Sequence, residues 1–281
     1  MARWSPVWTR CRRPCLRSSV ATMADWRFSG QEFEILWSAY GRDRLPYPIR
    51  YRPEEMDFAD LKRQREVAVT ALLGRYAADL ERALDVLLEP DVRVESKAMG
   101  GADMSTVFRF YGAVRGRIGA TAIQLPGTAS DTGGDVIVRC CTASEVAEHA
   151  AAALPKAPAG THPPIEVRRA EVTADRERHI HRPYEIGVVA QLDQIFKRER
   201  LALGEITVFA GSAVDARPGF GRGFWWMDYV DGRYYVKTGD PIIAKPMQST
   251  VMAAEIQRLT VLTQRYYRED REHDEYLRSQ R

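Results

Sequence analysis

The sequence predicts an α+β fold, in which a quasi-two-fold duplicated unit builds a central antiparallel β-sheet with helical bundles beside it. Three segments of the first half return in the second half in the same order, with loops of different length between them. The matched segments are 88–94 with 202–208, 108–117 with 224–233, and 144–147 with 249–252. A unit that occurs twice favours a duplicated domain, because a solenoid needs three or more repeats to bury a core. Short hairpin connections favour antiparallel pairing.

The first half begins with predicted helices and continues with predicted strands. Ser29 is a suitable N-cap and Glu32 its capping-box partner, so a helix is predicted over 31–40. Apolar residues at helical spacing predict a long helical region over 57–88, with a break near Gly74. The next predicted elements are strands over 92–98, 106–114, 118–124 and 136–142, and a helix over 143–154.

Two local patterns describe the predicted sheet more closely. Within 92–97, Val, Val and Ser alternate with Arg, Glu and Lys, which is typical of a sheet with one solvated face. Asp231-Gly232 predicts a type I′ hairpin turn, and Arg115-Gly116 is its weaker counterpart in the first half.

The second half is predicted to follow a linker rich in Pro, Ala and Gly. A helix is predicted over 184–200, and a last helix runs from about Gln248 to Tyr267 and continues into a charged tail. The predicted strands of this half are 205–210, 223–229 and 234–238. The predicted organisation is an N-terminal half over 23–154, a linker and irregular segment over 155–183, a C-terminal half over 184–267, and the charged tail over 268–281.

Composition excludes several functional classes. The 281 residues are 45% hydrophobic and 28% charged, which is ordinary for a soluble globular protein. No apolar run is long enough to cross a bilayer, so no membrane insertion is predicted. The net charge is +3, and five arginines lie within residues 1–22 without any acid, so the rest of the chain is slightly acidic. Nucleic acid is therefore not a predicted partner.

The first 22 residues allow two interpretations. Their Arg-rich, acid-free composition resembles a targeting peptide, but arginines and prolines interrupt any apolar core that a signal would need. We favour a non-native or disordered extension with Met23 as the true start, because foldable patterning begins only at Trp26. Cys140 and Cys141 are adjacent in a predicted strand and point to opposite faces, which favours reduced cysteines and a cytoplasmic protein.

Candidates for catalysis are few. His179 and His181 have the spacing of two metal ligands on one strand face, but no third ligand is apparent nearby, so a solvated loop is favoured. The segment Gly219–Gly223 has the composition of a phosphate-binding loop, yet it precedes a predicted strand and lacks the helix N-terminus that binds phosphate. An enzyme using either feature is the alternative hypothesis, and no cofactor is predicted.

Aromatic residues in the second half are candidates for partner binding. In the strand 224–229, Phe224 and Trp226 lie on one face, and Trp225 and Met227 lie on the other. Both faces are apolar, so this strand is either covered twice, which we favour, or half-exposed to a partner. Tyr266 lies among charges in the last helix, on a solvated face or in a partner groove.

In several motifs the chain resembles the EspG family, the cytosolic chaperones of type VII (ESX) secretion in actinobacteria. The resemblance extends over about 26–263, and the order of its motifs together with the internal repeat makes it specific. The motifs are 33–37 (FEILW), 45–49 (LPYPI), 134–139 (GDVIVR) with Glu145, and 231–235 (DGRYY).

This resemblance implies a quasi-two-fold fold with two flanking helical bundles and a non-enzymatic function without cofactor. The implied partner is a PPE-like protein of a PE–PPE heterodimer, or a similar helical secretion substrate, whose helical tip the chaperone covers. The implied site includes the loop after the first long strand and the C-terminal helices. The predicted partner-binding residues are Met99, Gly100, Gly101, Ala102, Asp103, Met104, Trp225, Met227 and Tyr266. The sequence leaves open whether the protein forms a homodimer.

Overall fold

A computed structural model describes residues 25–53, 57–178, 186–213 and 220–280. Within these residues the fold is α+β, as predicted, and it contains ten strands and seven helices. The elements before the sequence linker are β1 (Asp25–Phe28), α1 (Gly30–Ala39), α2 (Phe58–Arg75), α3 (Ala78–Leu88), β2 (Val92–Gly100), β3 (Thr106–Arg115), β4 (Ile118–Pro126), β5 (Gly133–Thr142) and α4 (Glu145–Ala152). Those after it are β6 (Ile165–Val167), α5 (Arg169–Glu177), α6 (Val188–Phe196), β7 (Ala202–Ala210), β8 (Arg222–Tyr229), β9 (Gly232–Lys237), β10 (Ile242–Pro246) and α7 (Ser249–Ser279).

All ten described strands form one antiparallel sheet. Their order is β1-β5-β4-β3-β2-β7-β8-β9-β10-β6. From the centre outward the strands follow as β2-β3-β4-β5-β1 on one side and as β7-β8-β9-β10-β6 on the other. Each strand therefore has a counterpart at the same distance from the centre, from β2 with β7 to β1 with β6. In the middle, β2 and β7 pair over their full length, from Val92 opposite Ala210 to Gly100 opposite Ala202. The sheet therefore joins two distant parts of the chain through a long central pairing.

The two faces of the sheet are covered differently. One face carries a single apolar cluster, in which alternate residues of the central strands pack under α4 and α7. We call it the closed face. The other face carries two separate clusters, one under α1, α2 and α3 at the β5 side and one under α5 and α6 at the β10 side. On this second face, which we call the open face, none of the described helices covers the two central strands β2 and β7 between these clusters.

The predicted elements of the first half are confirmed with small shifts. The Ser29 and Glu32 capping box is present, with both reciprocal hydrogen bonds formed. The long helical region is divided at Tyr76 and Ala77, two residues after the predicted break. Of the apolar residues at helical spacing, Leu72 is buried and Leu73 is exposed, because α2 contacts the core only through a narrow stripe.

Both predicted hairpins form, but their turns differ from the prediction. In the first hairpin Arg115 pairs with Ile118, so Gly116 occupies the first central position, with a φ of 62°. In the second, Tyr229 pairs with Gly232. Gly232 therefore lies just after the two-residue loop, and the type I′ prediction for Asp231-Gly232 is wrong. A type I′ turn needs positive φ at both central residues, and neither has it.

The second half contains elements that the sequence did not predict. The segment expected to be linker and irregular structure holds β6 and α5, and β10 was missed altogether. The predicted helix over 184–200 begins outside the described residues and is observed as α6. The last helix is longer than predicted, because α7 runs through the charged tail to Ser279, although its last buried residue is Thr263.

Two further sequence predictions concern the cysteines and membrane insertion. Cys140 packs against the cluster on the open face and Cys141 against the cluster on the closed face, as the strand alternation predicted. Burial raises the pKa of both thiols. Among the described helices none is long and apolar enough to span a bilayer. Residues 1–22 lie outside the described part of the chain, so the expectations about them stay predictions.

Candidate partner-binding groove

The uncovered middle of the open face forms a groove between the two helix-covered ends of the sheet. Directly paired residues of antiparallel strands share a face, so the strand registers give its rows. One row is apolar: Met99 pairs with Leu203, and Leu203 pairs with Met227. Met99 is 39% exposed, and Leu203 and Met227 are half-buried. Leu201, just before β7, is 49% exposed at the same end of the groove.

The next row is charged and aromatic. Lys97 pairs with Arg109 on one side and with Glu205 on the other, and Glu205 pairs with Trp225. The Trp225 side chain is 37% exposed. Arg109 is buried, and its guanidinium donates hydrogen bonds to two backbone carbonyls of the 126–132 loop. An apolar row therefore lies beside a row in which both signs of charge are present.

A buried ion pair forms the far end of the groove floor. Arg93 Nε donates to Glu95 Oε1 at 2.7 Å, and both residues are buried. The Arg93 guanidinium also donates to the carbonyls of Ala210 and Gly211 and lies 4.4 Å from the Phe209 ring centroid. Burial raises the pKa of Glu95, although its bond to Arg93 opposes the shift. The alternation over 92–97 is confirmed, but only Lys97 on its charged side is solvated.

The connector between α1 and α2 borders the groove. The Tyr47 hydroxyl donates to Glu205 Oε1 at 3.4 Å, which links the N-terminal helices to β7. Burial, and then the negative charge of Glu205, raises the pKa of Tyr47 to about 12, so the phenol stays protonated at neutral pH. A cavity of about 930 Å³ is lined by residues of this connector, including Leu45, Tyr47 and Ile49, and by residues of α1 and α2.

The predicted binding loop is a well-defined turn at the end of the apolar row. Met99 and Gly100 belong to β2, so the loop is shorter than the predicted segment. Met104 N donates to Gly101 O, and both residues have positive φ. Asp103 Oδ1 accepts a hydrogen bond from Ser105 N. Hydrogen bonds from Ser105 lower the pKa of the Asp103 carboxyl group. The turn holds Ala102 and Asp103 exposed.

The structure brings together most of the predicted site residues but not Tyr266. Met99, Trp225 and Met227 share the groove, whereas Phe224 and Trp226 are buried in the closed face. Tyr266 lies on α7, which packs on the closed face, and the Arg222 guanidinium lies 4.7 Å from its ring centroid. Its neighbour Tyr267 approaches Gly211, at the end of the sheet opposite the 101–105 turn. We therefore exclude Tyr266 from the groove.

Several groove residues were missed by the sequence analysis, namely Tyr47, Lys97, Leu201, Leu203 and Glu205. The alternation of β7, in which buried Ala202, Gly204 and Ile206 flank Leu203 and Glu205, is the signal that identifies these two as residues of the other face. No local signal identifies Tyr47, because its place in the groove depends on how the connector crosses the sheet.

Among the described residues, the structure assembles no catalytic or metal-binding site that would support the alternative enzyme hypothesis. His179, His181 and Gly219 lie outside the described residues. Gly221 and Gly223 are described, and they lie at the start of β8, ahead of a strand as predicted. In the described parts of the chain no group of three or more His, Cys, Asp or Glu side chains is placed to hold a metal ion.

Comparison with known proteins first defines the fold and then the family. A solved structure of the type VII secretion system chaperone EspG5 of Mycobacterium tuberculosis, in complex with a PE25-PPE41 dimer, has a similar fold, with a TM-score of 0.52. The likeness covers 84% of this chain and 95% of that one at 15% identity. No curated protein matches the sequence. The model of the EspG family matches residues 29–261, and the chain therefore belongs to the EspG family.

Proposed function

We propose that the protein is a cytoplasmic, non-enzymatic chaperone of type VII secretion. Its client is a PPE-like protein of a PE–PPE heterodimer, or a similar helical secretion substrate, whose helical tip it binds in the central groove. Family membership supports the class of function. The EspG5 structure, which contains a PE25-PPE41 dimer, supports the class of client.

The observation that carries the proposal is the apolar row of the groove, which is exposed at Met99 and half-buried at Leu203 and Met227. The Met99, Leu203 and Met227 side chains lie side by side on three neighbouring strands, and Leu201 extends them at one end. An exposed apolar patch is characteristic of a protein-binding surface. Methionine adapts to irregular shapes, which suits a surface that must follow the end of a helical hairpin. Covering an apolar tip would keep the client from self-association before export.

The groove also has the architecture of a protein interface. Its apolar row lies between the charged side chains of Lys97 and Glu205 on one side and the 101–105 turn on the other, as is usual for interfaces with an apolar core and a polar rim. The turn has a fixed conformation, so little conformational entropy is lost when a partner binds. The proposed contact residues are Met99, Gly100, Gly101, Ala102, Asp103, Met104, Leu201, Leu203, Trp225 and Met227.

The double substitution Met99→Asp with Met104→Asp tests this site. We expect it to abolish co-purification of the helical client from the native cell while leaving the thermal midpoint close to that of the parent. Both side chains are at least partly exposed, so a carboxylate at either position stays hydrated.

The matched control is Ile118→Asp, because Ile118 is 40% exposed and lies at the opposite end of the sheet. It should leave both client binding and the thermal midpoint unchanged. A well-folded double variant that still binds the client would remove the groove from the interface. Loss of activity on a substrate after His181→Ala, or a bound stoichiometric metal, would instead favour the enzyme hypothesis.

We also infer that the fold arose by duplication, with two helical bundles on the open face. In support, β1 and β6 occupy matching edges, each precedes helices, and four strands and a helix follow in each half. On this view the second unit begins at Ile165 rather than at 184, and the linker is 155–164. The segments paired in the sequence repeat are not structurally equivalent residue by residue, since Gly116 lies inside its turn and Gly232 lies just after its turn. A superposition of the experimentally determined halves tests this.

A further inference from the structure

Two charged side chains in the groove, Lys97 on β2 and Glu205 directly opposite it on β7, form no ion pair among the described residues. Lys97 is half-buried, and no described carboxylate lies within ion-pair distance of its ammonium group. It lies two residues before Met99 on the same face of β2, so the Cα atoms of the two residues are about 6.6 Å apart along the strand. The ammonium group therefore borders the apolar row that the proposed function assigns to the client.

None of the described neighbouring carboxylates lies within ion-pair distance of the Lys97 ammonium group. The nearest cation, Arg109, is bonded to the carbonyls of Ser130 and Thr132. Glu205 accepts a hydrogen bond from Tyr47 and forms no ion pair with a described residue, and Glu95 is already paired with Arg93. The row thus holds two cations, Lys97 and Arg109, and one carboxylate. An excess of positive charge remains where a client would exclude water.

Binding of a purely apolar tip would therefore carry a cost. When a partner covers a charged group, its hydration is lost, and this loss is compensated only if the partner supplies an ion or a hydrogen-bond acceptor. An acid on the client would convert this cost into a charge-assisted hydrogen bond and would select against tips that lack it. Electrostatic complementarity therefore specifies the chemistry of the bound tip.

We propose that the tip bound in this groove pairs its apolar anchor with a carboxylate, and that Lys97 binds this carboxylate. The inference rests on the proposed function and narrows the class of client. Side chains three or four residues apart on a helix have Cβ atoms about 5–6 Å apart, which matches the spacing of Met99 and Lys97. The preferred client therefore carries Asp or Glu three or four residues from the apolar side chain that contacts Met99.

A library of helical hairpins with a randomised tip tests the proposal without a known client. The hairpins are displayed on one fixed scaffold and selected for binding to the immobilised full chain, to its Lys97→Glu variant and to its Lys62→Glu variant. Lys62 is exposed on α2, outside the groove. The Lys62→Glu control therefore changes the net charge by the same amount as Lys97→Glu and leaves the groove unchanged. Bait-free selection gives the background.

The expected result is enrichment of apolar residues together with Asp or Glu at three- or four-residue spacing on the parent and on Lys62→Glu. On Lys97→Glu the acidic preference should reverse to Lys or Arg. The affinity of the best parental hairpin should fall at least about tenfold on Lys97→Glu and recover when its acid is changed to Lys. Apolar enrichment without any charge preference would overturn this inference and leave the proposed function intact. No enrichment above background would overturn both.

Discussion

The two faces of the central strands are built from alternate residues of the same segments, yet they behave as a core and as a surface. On the closed face, Ala98 of β2 is 1% exposed. It lies so close to β7 that a Cβ added to Gly204 would be 2.5 Å from the Cβ of Ala98. On the open face, the next residue, Met99, is 39% exposed. A strand is therefore core or binding surface depending on what covers each face, and α4 and α7 cover only one.

The largest expected effect is the difference in stability between a charged substitution at Ala98 and the same substitution at Met99. Ala98→Asp places an unpaired charge in a site without space for it, and we expect the free energy of unfolding to fall by at least about 4 kcal/mol. Met99→Asp keeps its carboxylate in water and should cost less than about 1 kcal/mol. Chemical denaturation of both variants measures the difference. Equal losses would mean that the open face is packed as tightly as the closed one.

The second prediction compares the buried ion pairs of the two faces. On the closed face, Arg233 binds Asp228 through two hydrogen bonds of 2.7 Å and lies 4.4 Å from the Trp226 ring centroid. Arg233→Ala leaves the buried Asp228 carboxylate without its partner, at an expected cost of about 3–5 kcal/mol.

On the open face, Arg93→Ala should cost less, about 2 kcal/mol, because burial already raises the pKa of Glu95 and a proton can replace the lost partner. Urea denaturation at neutral pH of the two single variants provides the test. A larger loss for Arg93→Ala would reverse this ranking of the faces.

The third prediction compares the hairpins of the two halves. Gly116 and Gly232 both have positive φ, so a β-branched residue strains the backbone at either site. A Cβ on Gly116 meets no atom within 4 Å, whereas one on Gly232 would stand 2.6 Å from the backbone of Ala159. We expect Gly232→Val to cost at least about 3 kcal/mol and Gly116→Val about 1–2 kcal/mol. Thermal midpoints that fall equally would show that strain alone, without the contact to Ala159, determines the effect.

The smallest expected effect depends on pH and concerns Asp231, beside the second hairpin. Burial by itself raises its pKa, but hydrogen bonds from Tyr234 and Thr161 and the charge of Arg198 prevail and lower it to about 2. A carboxylate whose pKa is lower in the folded state contributes stability above its unfolded pKa and loses it as the pH falls. This contribution is about 2 kcal/mol, present above about pH 4 and lost towards pH 2.

The variant Asp231→Asn cannot titrate, so it isolates this contribution. The difference in unfolding free energy between parent and variant should be widest above pH 4 and should narrow as the pH falls to 2. Urea denaturation at a series of pH values measures it. A difference that stays constant over this range would exclude the carboxylate charge as its origin.

Local patterns predicted most of the first half because its elements depend on neighbours in sequence. The capping box of Ser29 and Glu32 and the alternation over 92–97 involve residues within a few positions of one another. The second half was harder, since β6 has three residues and β10 has five, and neither has a clear periodicity. The type I′ prediction failed because the dipeptide Asp231-Gly232 identifies a turn but not which residues occupy its centre.

The candidate site was only partly predictable for the same reason. Trp225 and Met227 were predicted from strand alternation and Met99 from the family resemblance, whereas Leu203, Glu205 and Tyr47 were not predicted. Tyr266 was included as a tyrosine among charges in the last helix, which the family resemblance assigns to the partner site, but α7 packs on the other face of the sheet.

By itself the sequence determined the α+β class, the hairpins, the alternation of the strands and the family motifs, because each follows from residues close together along the chain. Only the tertiary structure decided that β2 pairs with β7 and so places Met99 beside Leu203, more than one hundred residues away. It also decided that the described helices cover both ends of the open face and leave Met99 and Trp225 between those ends exposed. Strand pairing and helix packing depend on the burial of apolar surface between distant segments, and local periodicity does not specify which segments meet.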